Sequence, residues 1–205
     1  MGLFYLELFK TSFDANTTEG DNYVREWYAK IGPQGQARSF RKLSVDDILC
    51  LVGHGERTAP EFIEGKALGG KKFPANDVAA MVKKVVNPGH VHVLALMCEG
   101  AGRTKDGVVL KKSDLEITPA QNGKSSCFIK LLARALGTGA DGLTKIRVGG
   151  FATNIANPSF SALEFDAHKL PKVYSKGGTV PLEPRWVNKD GDWCTFESSD
   201  RVKQG

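Results

Sequence analysis

Two residues of this 205-residue chain combine reactive side chains with glycine neighbours. Cys98 follows the apolar run VHVLALM and opens a glycine-rich stretch, and His54 follows the apolar run DILCLV between Gly53 and Gly55. A thiol is only a few per cent ionised at neutral pH, and a nearby imidazole activates it or protonates a leaving amine. The two residues therefore predict a cysteine nucleophile, Cys98, with His54 as its acid/base partner.

The glycines beside these residues predict a close approach of a substrate to the main chain. A carbonyl carbon attacked by a thiolate passes negative charge to its oxygen, and main-chain N–H groups can stabilise that charge. Gly55 and Cys98 are the candidate donors of this oxyanion hole, because glycine lacks the Cβ that would keep a substrate away. Taken singly, each residue also suits a structural role, Cys98 as a small core residue and Gly-His-Gly as a turn.

Strands and helices are predicted around both residues. Three short apolar runs have the length and β-branched content of buried strands. They occupy residues 47–52, 91–97 and 144–151. The two stretches between them carry apolar side chains at i, i+3, i+4, i+7 and i+8, the spacing of one helix face. Asn76 and Ser126 are the predicted N-caps of these helices.

The order strand, helix, strand, helix, strand predicts an α/β fold with a mostly parallel sheet and helices on both faces. Functional residues of such sheets gather where the strands end. His54 and Cys98 are 98 − 54 = 44 residues apart, yet both emerge at this edge if their strands are neighbours. The sequence therefore predicts a shared site at the carboxyl edge of the sheet.

The remaining patterns complete a single domain over residues 1–205. A C-terminal β-hairpin is predicted at residues 186–196, with Trp186 and Trp193 as packing anchors. Further strands are predicted at residues 3–10 and 23–31, and further hairpins at residues 62–73 and 108–115.

Val-Gly-His-Gly after an apolar strand, then an amphipathic helix, then an apolar strand ending in cysteine, resembles the caspase/hemoglobinase-fold (clan CD) cysteine peptidases. Within that group the chain is most similar to the self-cleaving cysteine protease domains of large bacterial toxins. The resemblance covers residues 47–153, including FIKLLARAL and KIRVGGF. It implies a caspase-like fold, endopeptidase activity on a protein or peptide substrate, His54 and Cys98 as the dyad, and the Gly55 and Cys98 amides as oxyanion donors.

The chain departs from the toxin domains at one position. Cys98 is followed by Glu99 and not by the small hydroxyl residue common in those domains, which leaves the substrate preference open. The toxin domains respond to an inositol phosphate, and the scattered lysine pairs are compatible with such an activator, although their spacing does not demand one. No other cofactor is expected. Asp46 and Asp47 are the acids nearest in sequence that could orient His54.

A second cysteine supports a competing hypothesis. Cys127 is predicted in the first turn of a helix, where the helix dipole lowers a thiol pKa. Gln121 lies 127 − 121 = 6 residues earlier, which resembles the spacing in papain-like enzymes, and His168 follows later. This arrangement predicts a peptidase or a deamidase, although nothing around His168 suits the strand start of that fold. The non-enzymatic alternative is a peptidase-like module that binds a partner without cleaving it.

Composition and charge argue against other classes of function. The 41% apolar and 25% charged residues are those of a globular protein, and the net charge of 28 − 23 = +5 comes from scattered pairs. No nucleic-acid-binding motif is present, and His90, His92 and Cys50 lack a metal-binding spacing. No apolar run reaches the ~20 residues of a membrane span, and the N-terminus lacks the features of a signal peptide. These features predict a soluble protein, cytoplasmic or exported without a cleavable signal peptide.

Overall fold

The computed structural model describes residues 3–7, 28–31, 37–38, 43, 45, 47–55, 62–64, 72–90, 92–102, 127–156, 164, 166–168, 170–175 and 177–196. The strands of these residues are β1 (Leu3–Glu7), β2 (Tyr28–Ile31), β3 (Ala37–Arg38), β4 (Ile48–Val52), β5 (His54–Gly55), β6 (Phe62–Glu64), β7 (Lys72–Pro74), β8 (His92–Leu96), β9 (Arg147–Gly150), β10 (Val173–Tyr174), β11 (Pro181–Leu182), β12 (Arg185–Asn188) and β13 (Trp193–Cys194). The helices are α1 (Ala75–Val85) and α2 (Phe128–Gly137).

One eight-stranded sheet organises the structure, with strand order β13-β12-β9-β8-β4-β1-β2-β3. Its central strands β1, β4, β8 and β9 are parallel, and the strands outside them are antiparallel. All five residues of β4 and of β8 are buried, as expected for parallel strands covered on both faces. The predicted α/β class with a largely parallel centre is confirmed. The sheets β5-β6-β7 and β10-β11 are smaller.

The two described helices pack on the same face of the large sheet. Their buried side chains form one cluster with alternate strand residues such as Leu49, Leu51 and Val93. The opposite face carries Ile48 and Leu94, and in the described part of the chain it is covered by extended chain after β9, not by a helix. Helices on both faces were expected, and these residues show helices on one face only.

Both predicted helix N-caps are wrong by one or two residues. α1 follows Pro74, which holds the N-cap position with φ −65° and ψ 155°, so Asn76 lies inside the first turn. α2 has Cys127 as its N-cap instead of Ser126, and neither cap side chain forms a capping hydrogen bond. The Ile129 N–H instead donates to the Gly100 carbonyl oxygen at 3.1 Å. A tertiary contact therefore satisfies an N–H that a side chain usually caps.

Most of the predicted hairpins and terminal strands are confirmed. β6 pairs with β7 and β12 pairs with β13, both antiparallel. β1 and β2 lie within the predicted strands 3–10 and 23–31, whose other residues are outside the described ones. Trp186 is buried, whereas Trp193 is 39% exposed and is therefore only a partial anchor. The Lys130 Nζ lies 4.8 Å from the centroid of the Trp193 ring. The hairpin predicted at residues 108–115 lies outside the described residues. None of the described helices has the length and apolar character needed to cross a membrane.

Candidate active site

The carboxyl ends of β4 and β8 lie side by side in the sheet. Their parallel register runs from Ile48 opposite His92 to Val52 opposite Leu96, so each residue of β4 faces the residue 44 positions later in the chain. The Gly53 N–H donates to the Leu96 carbonyl oxygen at 3.4 Å, which extends the pairing one residue beyond β4. His54 and Cys98 have the same separation of 98 − 54 = 44 residues. The two strands are therefore neighbours, which is the condition for His54 and Cys98 to emerge at the same edge.

Beyond this pairing the main chains of Gly55 and Cys98 are in contact. A Cβ placed on Gly55 would lie 2.8 Å from the Cys98 carbonyl carbon, 3.2 Å from its nitrogen, and closest of all to its carbonyl oxygen. Any side chain at position 55 would therefore displace the main chain of Cys98. His54 and Cys98 are both half-buried, as a solvent-accessible pair of reactive groups requires.

His54 lies where the chain passes from the large sheet to a small one. Past Gly53 it stops pairing with β8, and within β5 His54 pairs with Glu64 and Gly55 with Ile63. The small sheet thus pairs with the main chain of His54 as soon as the chain has left the large sheet. Pairing within the small sheet therefore fixes the main chain of His54 just beyond the carboxyl end of β4.

The turn that contains Cys98 is held by the extended chain after β9. The Ala101 N–H donates to the Phe151 carbonyl oxygen at 3.0 Å, and the Glu99 N–H donates to the Thr153 carbonyl oxygen at 3.1 Å. The Cys98 Sγ lies 3.8 Å from the carbonyl oxygen of Ile155, to which its S–H donates. Residues 151–155 therefore run antiparallel to the turn. The carbonyl groups of every second residue in this segment accept from the turn and fix the position of the thiol.

Glu99 is in the left-handed region, with φ 54°, and is the one non-glycine residue with positive φ among the described residues. Such a backbone conformation costs an L-residue roughly 1–2 kcal/mol. The Glu99 carbonyl oxygen accepts a hydrogen bond from the Gly102 N–H at 3.0 Å. The Glu99 N–H donates to the Thr153 carbonyl oxygen, as described above. Hydrogen bonds on both sides of Glu99 stabilise the strained conformation.

Gly150 allows β9 and α2 to approach the Cys98 turn. A Cβ at this position would lie 2.7 Å from the Ile129 Cγ2 and 3.4 Å from the Ala101 nitrogen. The close packing places the N-terminal end of α2 directly behind the turn. The glycine-rich sequence around Cys98 predicted a tight turn, but nothing in the sequence pointed to the strained Glu99 or to the carbonyl groups of Thr153 and Ile155.

Asp47 is buried at the amino end of β4, while His54 follows the carboxyl end. Seven residues separate them (54 − 47 = 7), and extended chain of that length spans about 23 Å at the usual rise per residue. Asp47 therefore does not orient His54, because the strand carries the two side chains to opposite edges of the sheet. Asp46 lies outside the described residues.

Comparison of the chain with protein-family models, with curated proteins and with solved structures found no match.

Cys127 and His168 are not brought together by the structure. Cys127 is 2% exposed in the core on the helix-covered face, and burial raises its pKa more than nearby main-chain N–H groups lower it. His168 is exposed, and its ring centroid lies 5.5 Å from that of Phe196, which packs on the opposite face of the sheet. These positions weigh against the papain-like hypothesis. Gln121 lies outside the described residues.

The histidines considered for metal binding are core residues at the amino edge of the sheet. His90 and His92 are buried, and the His90 Nε2 lies 2.9 Å from the His92 carbonyl oxygen. The His92 ring centroid is 4.8 Å from that of Phe196. Cys50 is buried, and burial raises its pKa far above the usual range. Within the described residues, no three His, Cys, Asp or Glu side chains are grouped to hold a metal ion.

Proposed function

We propose that this protein is a cysteine endopeptidase in which Cys98 is the nucleophile and His54 is the acid/base. The observation that supports it is the main-chain contact between Gly55 and Cys98 where the parallel strands β4 and β8 end. That contact brings the segments bearing an imidazole and a half-buried thiol to one edge of the sheet. In α/β sheets this edge is the usual place for a catalytic site. A clan CD-like, caspase-like enzyme of the toxin-domain type is the finer form of this proposal.

In the first step the Cys98 thiolate attacks the carbonyl carbon of a peptide bond. A C–S bond forms, and the carbonyl oxygen takes the negative charge of a tetrahedral intermediate. The N–H groups of Gly55 and Cys98 are the proposed donors to this oxygen. His54, as imidazolium, gives its proton to the leaving nitrogen as the C–N bond breaks. An amine leaves, and the substrate acyl group stays on Cys98 as a thioester.

In the second step water attacks the thioester carbon. His54, now neutral, takes a proton from the water as the new C–O bond forms. The C–S bond then breaks, releasing a carboxylic acid and the thiolate of Cys98. Neither electrons nor a cofactor are needed, and an inositol phosphate would act only as an activator outside the reaction itself.

Cys98 is the best placed of the four thiols for this chemistry. Burial raises the pKa of both Cys50 and Cys127, which disfavours their thiolates. Cys194 is half-buried like Cys98, but it lies in β13 at the end of the sheet. Cys194 is therefore the matched control for Cys98.

The test combines thiol labelling with peptide hydrolysis. Iodoacetamide followed by peptide mapping should label Cys98 faster than Cys194 in the folded protein, and His54→Ala should remove that advantage. Cleavage of a quenched fluorogenic peptide library, with and without an inositol phosphate, should be lost in Cys98→Ala and His54→Ala by a factor of roughly 10³ or more. Cys194→Ala should cleave at the wild-type rate.

Three outcomes contradict the proposal in different ways. Wild-type cleavage by Cys98→Ala rules out this nucleophile. Loss of cleavage in Cys127→Ala, with Cys98→Ala active, favours the papain-like enzyme. Rapid labelling of Cys98 without cleavage of any peptide favours a binding module with a peptidase-like site.

A further inference from the structure

We infer that Glu99 is a positioning residue, whose left-handed backbone orients the Cys98–Glu99 peptide group and so holds the Cys98 thiol at the edge of the sheet. The inference rests on the proposed function, since it concerns the nucleophile of that reaction. It assigns the role to the backbone conformation of Glu99 and not to its carboxylate.

The Cys98–Glu99 peptide group bridges two parts of the candidate site. Its carbonyl oxygen belongs to Cys98 and lies against Gly55, while its N–H belongs to Glu99 and donates to the Thr153 carbonyl oxygen at 3.1 Å. The C=O and N–H of a trans peptide point in opposite directions within one rigid plane. One planar group therefore links the end of β5 to the chain after β9, with the thiol-bearing residue attached to it.

The strain at Glu99 is the cost of this orientation. Turning the peptide plane over would carry φ of Glu99 from 54° to about 54 − 180 = −126°, a φ value that L-residues adopt readily. The Cys98 carbonyl would then face the Thr153 carbonyl oxygen, and the hydrogen bond from the Glu99 N–H would be lost. A residue that avoids the left-handed region should therefore turn the plane over and move the thiol away from Ile155, its present acceptor.

Substitutions at position 99 separate the backbone from the side chain. Glycine and asparagine enter the left-handed region readily, whereas a β-branched valine does so at a high cost. Glu99→Gly and Glu99→Asn should keep kcat within about twofold of the wild type. Glu99→Val should lower kcat by about 100-fold with KM little changed, because a displacement near 1 Å costs that much in a positioned reaction. Glu99→Ala, which removes the carboxylate but keeps the Cβ, should behave like the wild type.

The measurements are kcat and KM on the best-cleaved peptide of the fluorogenic library, together with the rate at which iodoacetamide labels Cys98. Glu183→Val is the matched control, since Glu183 is exposed and has no positive φ, and it should leave both quantities unchanged. The labelling rate of Cys98 should fall in Glu99→Val and recover in Glu99→Asn. Thermal unfolding of each variant establishes that it is folded.

Wild-type kcat and labelling in Glu99→Val would overturn the inference, as would an equal loss in Glu99→Asn, Glu99→Gly or Glu99→Ala. The Cys98→Ala variant separates this failure from failure of the proposed function. If Cys98→Ala is inactive while Glu99→Val matches the wild type, only the positioning role is wrong. If Cys98→Ala still cleaves, the proposed nucleophile is wrong and the positioning role is wrong with it.

Discussion

Gly55 shows how a single residue limits what the carboxyl edge of the sheet can hold. The main chains of residues 55 and 98 touch, so there is no volume for a side chain between them. Gly55 does not have positive φ, and the need for glycine here is therefore one of space and not of backbone conformation. The close approach of two backbones is a recurrent reason for glycine at functional sites.

We predict that Gly55→Ala disrupts the candidate site. The new Cβ would overlap the Cys98 carbonyl group, whose peptide plane is held by the hydrogen bond from the Glu99 N–H to Thr153. Overpacking of this kind costs typically about 1–3 kcal/mol. Urea unfolding should show the loss of stability, and cleavage of the fluorogenic peptides should fall sharply.

Gly89→Ala is the control for Gly55→Ala. A Cβ at Gly89 would meet only the Cγ1 of Val45, a partly exposed side chain that can move, and Gly89 is remote from Cys98 in the fold. This variant should keep its activity. Full activity in Gly55→Ala would show that the contact with Cys98 does not matter for function.

The elements that bury Cys50 and Cys127 determine the protonation of these thiols. Cys50 lies inside β4, covered on both sides by neighbouring strands, and burial alone raises its pKa. Cys127 is the N-cap of α2, where nearby main-chain N–H groups favour a thiolate, yet its pKa is also raised because desolvation outweighs their effect. The position of a cysteine at a helix start therefore does not by itself predict a reactive thiol.

These two thiols predict a loss of stability at alkaline pH. Their folded pKa is raised, so their contribution is fully present below the unfolded thiol pKa of about 8.5 and is lost as the pH rises above it. Each buried thiol should lower the free energy of unfolding by about 1.4 kcal/mol per pH unit above the unfolded pKa, until the pH reaches its raised folded pKa. Urea unfolding between pH 8 and pH 10.5 measures this slope. The double variant Cys50→Ala/Cys127→Ala should have a shallower slope, and an unchanged slope would contradict the assignment to these thiols.

At the scale of the whole molecule, one sheet separates two apolar cores. Leu51 belongs to the core beneath the helices, and Leu94 belongs to the core beneath the extended chain that follows β9. Both are fully buried on neighbouring strands. Because the same strands supply both cores, neither core can come apart without exposing the sheet to solvent.

We therefore predict that the described fold unfolds as one cooperative unit. Leu51→Ala and Leu94→Ala should each lower the free energy of unfolding by about 2–5 kcal/mol, the usual cost of truncating a buried leucine. Tryptophan fluorescence, to which the buried Trp186 contributes, and far-UV circular dichroism should give the same transition midpoint in each variant. Two separated transitions would show that the chain holds more than one folding unit.

The amino-acid sequence by itself determined the class of fold and the order of its central elements. The apolar runs before His54 and Cys98 are long enough for strands and too short for helices, and the helix-period pattern between them favours parallel strands. The local hydrophobic pattern is sufficient to predict these strands, because a strand that is buried on both faces has apolar residues at successive positions. The sequence could therefore predict that the two candidate residues follow parallel strands, and the structure shows that these strands are neighbours.

Only the tertiary structure decided how the site is held. The left-handed Glu99, the carbonyl groups of Thr153 and Ile155 that accept from the Cys98 turn, and the replacement of Ser126 by Cys127 as N-cap all depend on contacts between segments distant in the chain. The same holds for the exclusion of Asp47, which is near His54 in sequence but at the other end of a strand. Such contacts form when the sheet assembles, so their geometry is a property of the assembled sheet and not of any local stretch of sequence.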